Sequence, residues 1–353
     1  MSGSAPPRPI SVLLVQLPVP QLNFGRRTGN IPLAAACLHQ AWTSGRSGMD
    51  PAVTVMPQAC ATYLGDAALV ERIAGATPGV VGFTTYAWNV DRTIHLARRL
   101  KEKSNPTIIL GGPEITPDNP RLQSGAAAID LFVCGEGESL FQEGLLKEGL
   151  IAPNKTPQWM TMEPYAGFRH RPSPYLKGLL DPALDGMVLL ETQRGCPHRC
   201  GYCFYGKGRR RIHLAEEAKV LAAARWAHAR GVGELYLLDP SLDARPGLKA
   251  LLEEIAVINA DGAMNLHSEI RAEAVEESLA DALVGAGFRS LEIGLQSTNP
   301  VALERTGRRC DLKRFLTGTR HLAARDIACS IDLIVGLPGD TCLLYTSPSP
   351  RDL

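Results

Sequence analysis

Three cysteines, Cys196, Cys200 and Cys203, lie within eight positions of one another in the stretch RGCPHRCGYCFYGKG, and no fourth cysteine follows there. A closed zinc site needs four donors, which usually come from paired Cys-x-x-Cys segments. His198 or His213 could complete such a set, but the sequence has no second Cys-x-x-Cys segment. An iron–sulfur cluster held by three cysteines leaves one iron without a protein ligand. The spacing therefore favours a cluster with one open iron over zinc.

The composition of the chain limits the compartments and partners that are expected. Its 353 residues suit about two domains, and 37 basic against 36 acidic residues leave a formal charge of +1. Such a balance gives no reason to expect a nucleic-acid or anionic-membrane partner. The N-terminal MSGSAPPRPI lacks the apolar core of a signal peptide, and no run approaches the roughly 18 apolar residues of a membrane span. We expect a cytoplasmic protein without membrane or nucleic-acid partners.

The cysteine count agrees with a metal-binding role for the triplet. Cytosolic thiols stay reduced, so nine cysteines with one tight group indicate metal binding or catalysis rather than a disulfide framework. The remaining cysteines are scattered singly. Those in apolar surroundings are predicted to be small core residues: Cys37, Cys60, Cys134, Cys310 and Cys329.

The elements before the cysteines alternate between strand and helix from Ile10 to about Leu150. Near-continuous apolar runs such as ISVLLVQL, GVVGFTT, TIILGG and IDLFVCG suit strands that are buried on both faces of a parallel sheet. Residues 1–150 are therefore predicted to form a doubly wound, flavodoxin-like domain of five strands. Such sheets bind ligands at the carboxyl ends of their strands.

A second alternating region carries the cysteines. Residues 151–186 are rich in proline and aromatic residues and lack periodicity, which predicts a linker. From Met187 to residue 340, five strand–helix steps follow one another, and the cysteine loop comes directly after the first strand. This order predicts a (β/α) barrel or part of one. The overall fold class is therefore α/β, a doubly wound domain followed by a partial barrel.

The end of the chain departs from this pattern. After Gly336-Leu337-Pro338-Gly339 the sequence becomes TCLLYTSPSPRDL, which has neither a helical nor a strand period. A short disordered native tail is one interpretation. Another is that residues 341–353 are non-native sequence on a chain truncated at its C-terminus, and this is our expectation.

The cysteine triplet, with Tyr202 directly before its last member, resembles the signature of the radical S-adenosylmethionine (SAM) superfamily. The resemblance implies that the open iron of a [4Fe-4S] cluster binds the amino and carboxylate groups of SAM. It also implies that one electron cleaves SAM to a 5'-deoxyadenosyl radical, which acts on a small-molecule substrate. An external one-electron donor such as flavodoxin or ferredoxin would supply that electron.

The resemblance extends to the ends of later strands, where it implies contacts with SAM. An arginine there is suited to the methionine carboxylate. For Ser241 and Glu269, an ordinary role as a helix cap or as a polar residue of the barrel rim stays equally open. The implied positions are Tyr202, Asp239, Ser241, Glu269, Arg271, Gln296 and Ser297.

The first domain resembles the cobalamin-binding domain that precedes the radical SAM barrel in one large subclass. The resemblance rests on LGGPEITPD and CGEGESLF. Gly111 and Gly112 would let the backbone approach a large planar ring, and Gly135 and Glu136 open a helix whose N-terminus could hold polar groups of the corrin. A doubly wound domain that binds nothing is the alternative, because short glycine motifs are weak signals.

The sequence contains no Asp-x-His-x-x-Gly, the motif that offers a histidine to cobalt in other cobalamin proteins. If cobalamin binds, its lower face is expected to lie without a histidine ligand, against Tyr86, Trp88 or the loop after Leu17. Ordinary packing of these aromatic residues at a strand end is the alternative.

Together these features predict a cobalamin-dependent radical SAM enzyme, with methyl transfer to an unreactive carbon as the expected reaction. A radical cyclase or rearrangement enzyme is one alternative, and a non-catalytic carrier of cobalamin or electrons is another. Neither a Ser-His-Asp set nor a phosphate-binding Gly-x-x-x-x-Gly-Lys is visible, so hydrolysis and nucleoside-triphosphate chemistry are disfavoured.

Overall fold

The computed structural model describes residues 11–19, 30–44, 52–123, 125–143, 157–182, 186–205 and 211–340. It divides into two compact units, Met1–Ala166 with Lys177–Asp185, and Gly167–Leu176 with Gly186–Leu353. The expected non-native tail, residues 341–353, lies outside the described residues, as do parts of the predicted first domain and linker. None of the described helices is long and apolar enough to cross a membrane.

The first unit contains a parallel sheet of six strands in the order β2-β1-β3-β4-β5-β6. The strands are β1 (Val12–Gln16), β2 (Val53–Val55), β3 (Val80–Thr84), β4 (Thr107–Gly111), β5 (Leu131–Cys134) and β6 (Gln158–Thr161). The helices are α1 (Leu33–Thr43), α2 (Gln58–Tyr63), α3 (Asp66–Gly75), α4 (Val90–Lys103), α5 (Pro120–Gln123) and α6 (Glu138–Glu143). The strand order is that of a doubly wound sheet, as predicted.

Burial on both faces explains why the strands of this sheet read as continuous apolar runs. All five residues of β1 are buried, and successive side chains enter two separate cores. Val15 packs in one core with Leu110 and Phe132, whereas Leu14 packs in the other with Ile109. Helices therefore cover both faces of the sheet.

The sixth strand corrects one expectation from the sequence. β6 lies in the stretch predicted to be a linker and pairs in parallel with β5, so part of that stretch belongs to the first sheet. Its four residues are only partly buried, in the pattern of an edge strand, and Trp159 stacks on Phe132 with ring centroids 4.3 Å apart. So short a segment, with one face open, carries too weak a hydrophobic pattern to be recognised.

The second unit contains a parallel sheet of five strands in the order β13-β12-β11-β10-β7, as predicted for part of a barrel. In chain order its strands are β7 (Met187–Leu190), β10 (Glu234–Leu237), β11 (Asn265–Glu269), β12 (Phe288–Gln296) and β13 (Ala328–Leu333). Between β7 and β10, the short strands β8 (Gln193–Arg194) and β9 (His213–Leu214) form an antiparallel ribbon. The helices are α7 (Glu217–Ala229), α8 (Leu248–Ile258), α9 (Glu277–Ala286), α10 (Pro300–Arg305) and α11 (Leu312–Ala323).

The two faces of the second sheet differ in chemistry. On one face, Leu235, Leu237 and Leu266 are fully buried. The opposite face, here called the polar face, carries half-buried or exposed polar side chains. These are Glu234, Tyr236, His267, Glu269, Ser290, Glu292, Ser330 and Asp332.

Candidate functional site

The cysteine loop, residues 195–205, begins directly after β8, near the carboxyl end of β7. A turn closes its second half, because the Cys203 N–H donates to the Cys200 carbonyl over 3.1 Å. The Gly201 N–H donates to the Thr306 carbonyl over 2.7 Å, which attaches the loop to the end of α10. Backbone hydrogen bonds therefore fix the loop, so its cysteine side chains stay available as ligands.

The three thiols lie close enough to influence one another. Cys196 is buried, whereas Cys200 and Cys203 are half-buried, and all three are free thiols. Burial raises the pKa of Cys196, and the nearby Cys203 and Cys200 raise it further, although a hydrogen bond from the His198 backbone opposes this. Three mutually repelling thiolates need a positive centre to stabilise them, which an iron–sulfur cluster supplies. Within the described ranges, no three His, Cys, Asp or Glu side chains are already arranged to hold a metal ion.

Tyr202 supports the loop from within. Burial and a hydrogen bond to Cys200 both raise the pKa of its phenol well above its usual range. The phenol therefore stays neutral and keeps its proton. Tyr202 thus contacts Cys200, and its predicted contact with SAM stays a prediction.

A cavity of about 900 Å³ adjoins the loop at His198. This volume is in the range of pockets that enclose small molecules and cofactors. Its polar lining combines both signs of charge. The lining includes His198, Asp243, Arg271, Glu273, Ser297 and Arg308.

Arg271 connects the cavity to the cysteine loop. Its Nη1 donates to His198 Nδ1 over 3.0 Å, and its Nη2 donates to Glu273 Oε1 over 2.8 Å and to the Arg309 carbonyl. The Arg271 backbone N–H donates to Asp243 Oδ1 over 3.0 Å. Burial acts to raise the pKa of Glu273, but the hydrogen bond and charge of Arg271 hold that pKa below its usual value. Glu273 therefore stays ionised next to two guanidinium groups.

Several buried polar atoms of this lining have no hydrogen-bond partner among the residues that the structure describes. They are Arg271 Nε, Glu273 Oε2 and Arg308 Nε. The Arg308 side chain is 5% exposed, donates to the Gly294 carbonyl and lies 3.5 Å from Glu273. Buried polar groups normally have hydrogen-bond partners in proteins, so unpartnered ones at a cavity wall suit a bound polar ligand. Two N–H donors and one carboxylate oxygen are therefore left without hydrogen bonds to the described residues.

Asp239 and Ser241 have internal partners instead. Asp239 is fully buried and accepts from the N–H groups of Thr192 and Gln193, each over 2.9 Å, and from the Thr192 hydroxyl. Burial raises the pKa of Asp239 to about 6, although these hydrogen bonds lower it. Ser241 Oγ donates to Asp243 over 2.7 Å, and its carbonyl accepts from the Gln193 amide. Both residues hold the segment that leads into the cysteine loop.

The remaining predicted SAM contacts lie in two places. Ser297 lines the cavity with Arg271; its Oγ donates to Asp340 over 3.1 Å and accepts from the Asn299 N–H over 3.0 Å. Gln296 ends β12 with a positive φ of 72°, an uncommon backbone conformation that redirects the chain there. Glu269 lies on the polar face, outside the described lining of this cavity.

Glu269 has an unusual electrostatic environment. Desolvation of its carboxyl group raises the pKa of Glu269, and the charges of Glu292 and Asp332 raise it further, to about 7. Glu269 and Glu292 are direct partners in the register of β11 and β12, so like charges face each other across neighbouring strands.

Most of the cavity lining, including His198, Asp243, Glu273 and Arg308, is absent from the SAM contacts predicted from the sequence. His198 lies inside the cysteine motif but was considered only as a zinc ligand, whereas Asp243, Glu273 and Arg308 belong to no motif. For Glu273, the only available signal was its position two residues after Arg271.

In the first unit, the two glycines that end β4 differ. Gly112 has a φ of 118°, and a Cβ at this position would lie 2.5 Å from the Thr85 carbonyl oxygen. Glycine is therefore required at position 112 because the backbone at the end of β3 leaves no room for a side chain. Among the described residues, no atom would lie within 4 Å of a Cβ at Gly111, so this part of the sheet edge leaves space for a ligand.

Gly135 and Glu136 tie the end of β5 to the chain after β6. Gly135 has a φ of 92°, and a Cβ there would lie 2.5 Å from the Met162 carbonyl oxygen. Glu136 Oε2 accepts from the Tyr165 N–H over 2.6 Å. These contacts are internal to the unit and leave Gly111 as the open position of the predicted set.

An aromatic pair follows β3 at the same edge of the sheet. Tyr86 and Trp88 stack with ring centroids 4.5 Å apart at an angle of 8°, and Trp88 is 47% exposed. A flat, partly exposed aromatic surface suits contact with another flat ring. Most of the loop after Leu17, the other position suggested by the sequence, lies outside the described residues.

Family models match both parts of the chain. Residues 190–341 match the Radical SAM superfamily, and residues 35–145 match the B12 binding domain. The first match contains the cysteine loop and four strands of the second sheet, and it begins at the last residue of β7, whereas the second contains β2 to β5. These matches confirm the predicted order of the two domains.

Curated relatives include two methyltransferases from streptomycetes. The 2-(S-pantetheinyl)-carbapenam-3-carboxylate methyltransferase of Streptantibioticus cattleyicolor is 26% identical over 308 residues, which cover 76% of this chain and 44% of the relative. The cobalamin-dependent radical SAM methyltransferase TokK of Streptomyces tokunonensis is 27% identical over 301 residues, which cover 75% of this chain and 43% of TokK. The chain thus spans less than half the length of these relatives.

Solved structures share the fold. The radical SAM methyltransferase TsrM from Kitasatospora setae, solved with cobalamin and a [4Fe-4S] cluster, matches with a TM-score of 0.71 and 18% identity over 95% of this chain and 71% of TsrM. The cobalamin-dependent SAM radical enzyme OxsB, solved with aqua-cobalamin, matches with a TM-score of 0.67 and 17% identity over 93% of this chain and 49% of OxsB. At this identity, the likeness establishes the α/β architecture.

Proposed function

Since the chain belongs to the radical SAM superfamily and carries a B12 binding domain before its radical SAM domain, we propose that it is a cobalamin-dependent radical SAM methyltransferase. Its substrate would be a small molecule that is methylated at an unreactive carbon. A [4Fe-4S] cluster with SAM supplies the radical, and cobalamin supplies the methyl carrier. The relatives named as methyltransferases support this reaction over a cyclisation.

The observation that carries the proposal is the three-thiol loop beside a cavity whose charged side chains keep polar atoms without hydrogen-bond partners among the described residues. Cys196, Cys200 and Cys203 would hold the cluster and leave one iron open. The cavity reaches this loop through His198, so a ligand there lies next to the cluster ligands. The protein's task is to hold the cofactor in place and keep water out.

Within the cavity, Arg271 and Arg308 would bind the methionine carboxylate of SAM, because guanidinium groups pair well with carboxylates. Glu273, which stays ionised, would accept from the methionine amino group. Ser297 would offer a further polar contact at the end of β12. Asp239, Ser241, Glu269 and Gln296 would support the surrounding segments, and Tyr202 the cysteine loop.

For the first unit, we infer that cobalamin lies at the carboxyl edge of its sheet. Gly111 leaves room for the ring, and the Tyr86–Trp88 pair offers an aromatic surface without a histidine ligand for cobalt. Gly112, Gly135 and Glu136 would shape this edge from within the unit.

We further propose a cytoplasmic location and an external one-electron donor such as flavodoxin or ferredoxin. The support is the reduced state that three cluster thiols require. The balanced charge of the chain gives no reason to propose a nucleic-acid partner. The proposed cobalamin-binding domain comprises residues 1–150 together with β6, and the proposed radical SAM domain comprises residues 187–340.

The test is anaerobic reconstitution with iron and sulfide, followed by dithionite, cobalamin and SAM labelled with deuterium in its methyl group. We expect 5'-deoxyadenosine from the wild-type chain and none from Cys203→Ala. A full cluster without any 5'-deoxyadenosine would reject the radical assignment.

The same experiment separates the alternatives. A carrier of cobalamin or electrons would bind the corrin or show a redox couple, but SAM would not change the electron paramagnetic resonance spectrum of its cluster. A radical cyclase would form 5'-deoxyadenosine without passing label to cobalamin. Label on cobalamin, together with 5'-deoxyadenosine, supports the methyltransferase.

A further inference from the structure

The polar face of the second sheet carries a hydrogen-bonded chain of three side chains from three neighbouring strands. His267 Nδ1 lies 2.6 Å from Ser290 Oγ, and His267 Nε2 bonds Glu234 Oε2. His267 and Ser290 are direct partners in the register of β11 and β12, and Tyr236 is the partner of His267 on β10. Strand pairing therefore brings together residues that are 33 and 23 positions apart in the sequence.

For a neutral imidazole beside a carboxylate, the chemistry of the three groups sets the direction of their hydrogen bonds. An ionised carboxylate only accepts hydrogen bonds, so His267 Nε2 carries the proton that is donated to Glu234. His267 Nδ1 is then the acceptor for the Ser290 hydroxyl. A hydroxyl bonded to an imidazole that a carboxylate orients is the arrangement that activates serine in enzymes. The sequence disfavours a Ser-His-acid set, because no sequence motif contains these three residues.

Neighbouring side chains hold this chain in place. The Tyr236 and His267 rings stack with centroids 6.1 Å apart, and Asn265 Nδ2 lies 3.5 Å from Glu234 Oε1. The side chains of His267 and Glu234 are 24% and 20% exposed, so solvent or a ligand still reaches them. The imidazole orientation is thus fixed on both sides.

The surroundings of these three side chains favour a chemical role over a purely structural one. The inner faces of parallel barrels are normally filled by branched apolar side chains, and ordering polar groups there costs desolvation. Here charged and polar side chains of the polar face surround the chain: Glu234 and Tyr236 on β10 and Ser290 and Glu292 on β12, the two strands beside β11, with Glu269 on β11 itself and Asp332 farther away on β13. The Tyr236 hydroxyl is bonded to Glu292 and is not part of the His267 chain.

We propose that Glu234, His267 and Ser290 form a proton relay through which Ser290 Oγ removes a proton from a hydroxyl or amine group of a small molecule on the polar face. As the ligand proton moves to Ser290 Oγ, the serine proton moves to His267 Nδ1. The imidazolium that forms is stabilised by the Glu234 carboxylate, and the ligand keeps the electron pair of the broken bond. That this ligand is the enzyme's substrate rests on the proposed function.

The relay can be tested without either cofactor, by labelling the whole chain with diisopropyl fluorophosphate and locating the adduct by mass spectrometry. Ser290 Oγ attacks phosphorus, fluoride leaves, and His267 takes the serine proton. We expect an adduct at Ser290 in the wild type and labelling slower by about 10²-fold in His267→Gln and Glu234→Gln. Ser330→Ala, which alters a serine of the same face on β13, should be labelled like the wild type.

Two outcomes would overturn the relay: no adduct at Ser290 in the wild type, or equal labelling rates in His267→Gln. Nitrogen-15 NMR of the histidine side chains gives a second measurement on the unaltered fold. It should show His267 protonated at Nε2 and accepting at Nδ1, and Ser290→Ala should remove the hydrogen bond to Nδ1. The opposite tautomer in the wild type would also reject the relay.

Failure of the relay and failure of the proposed function give different results. Labelled Ser290 in a chain that forms no 5'-deoxyadenosine would reject the radical enzyme and retain the relay. Formation of 5'-deoxyadenosine by a chain without reactive Ser290 would do the reverse.

Discussion

Arg271 Nη1, after β11, lies 3.0 Å from His198 Nδ1 in the cysteine loop. This contact joins the wall of the cavity to the segment that bears the three thiols. The same guanidinium donates to Glu273 and to the Arg309 carbonyl, so one side chain organises three segments. Changes to Arg271 are therefore expected to affect both ligand binding and the position of the loop.

Arg271→Lys should weaken SAM binding at least tenfold. Lysine offers a single charged nitrogen and cannot maintain the contacts to His198 and Glu273 while also binding a carboxylate. The measurement is anaerobic equilibrium dialysis with labelled SAM on reconstituted protein. Arg289→Lys, an exposed change on β12, is the matched control and should bind like the wild type. Unchanged affinity in Arg271→Lys would place SAM elsewhere.

Replacing any cysteine of the triplet by alanine should abolish cluster assembly. Two thiolates are too few to hold the cluster while one iron stays open. Iron and acid-labile sulfide, measured after anaerobic reconstitution, should fall to background in Cys196→Ala. Cys329→Ala, in β13, should assemble as the wild type does. Tetrahedral zinc at the loop, or full iron content in Cys196→Ala, would contradict the assignment.

Asp239→Asn should change how stability depends on pH. The folded-state pKa of Asp239, about 6, lies above the ordinary 3.8, so its contribution to stability is largest below pH 3.8 and is lost as pH rises through 6. The loss is on the order of 3 kcal/mol, and asparagine, which does not titrate, should remove this slope. Urea unfolding of the apoprotein from pH 4 to 7 measures it. Glu254→Gln, on α8, should keep the wild-type slope; a wild-type slope in Asp239→Asn would be inconsistent with this account.

Glu269→Gln should raise the melting temperature at pH 8 and leave it nearly unchanged at pH 4. The raised pKa of about 7 means that the carboxyl group is charged at pH 8, where it is repelled by Glu292 and Asp332, and is neutral at pH 4. Glutamine removes the repulsion only where it exists. Calorimetry of the apoprotein at both pH values is the measurement. Destabilisation at pH 8 would show that the charge of Glu269 has a favourable partner.

The two glycines at the end of β4 should respond differently to substitution. Gly112→Ala should destabilise the first unit by about 1–3 kcal/mol, because alanine disfavours the positive φ and meets the Thr85 carbonyl. Gly111→Val should keep the stability but reduce cobalamin uptake, since its side chain enters open space at the sheet edge. Thermal unfolding and a cobalamin titration measure the two effects. Full cobalamin uptake by Gly111→Val would move the binding surface away from this edge.

The order and type of the elements follow from local patterns in the amino-acid sequence. Long apolar runs are forced into buried parallel strands, so the strands of both sheets could be predicted, with β6 missed because half of it faces outward. The triplet could be recognised because three thiolate ligands of one cluster lie on one short loop, where local spacing holds the information.

Which polar side chains contact one another depends on the tertiary structure. Arg308 reaches the cavity because α10 packs near the cysteine loop. Asp239 lies inside the protein rather than at the cavity because it accepts hydrogen bonds from Thr192 and Gln193. The contact of Glu234 with His267 and Ser290 depends on the register of β10, β11 and β12. Register is set by packing between distant segments, and a shift of one residue would turn each of these side chains to the opposite face. No local pattern in the sequence encodes that choice.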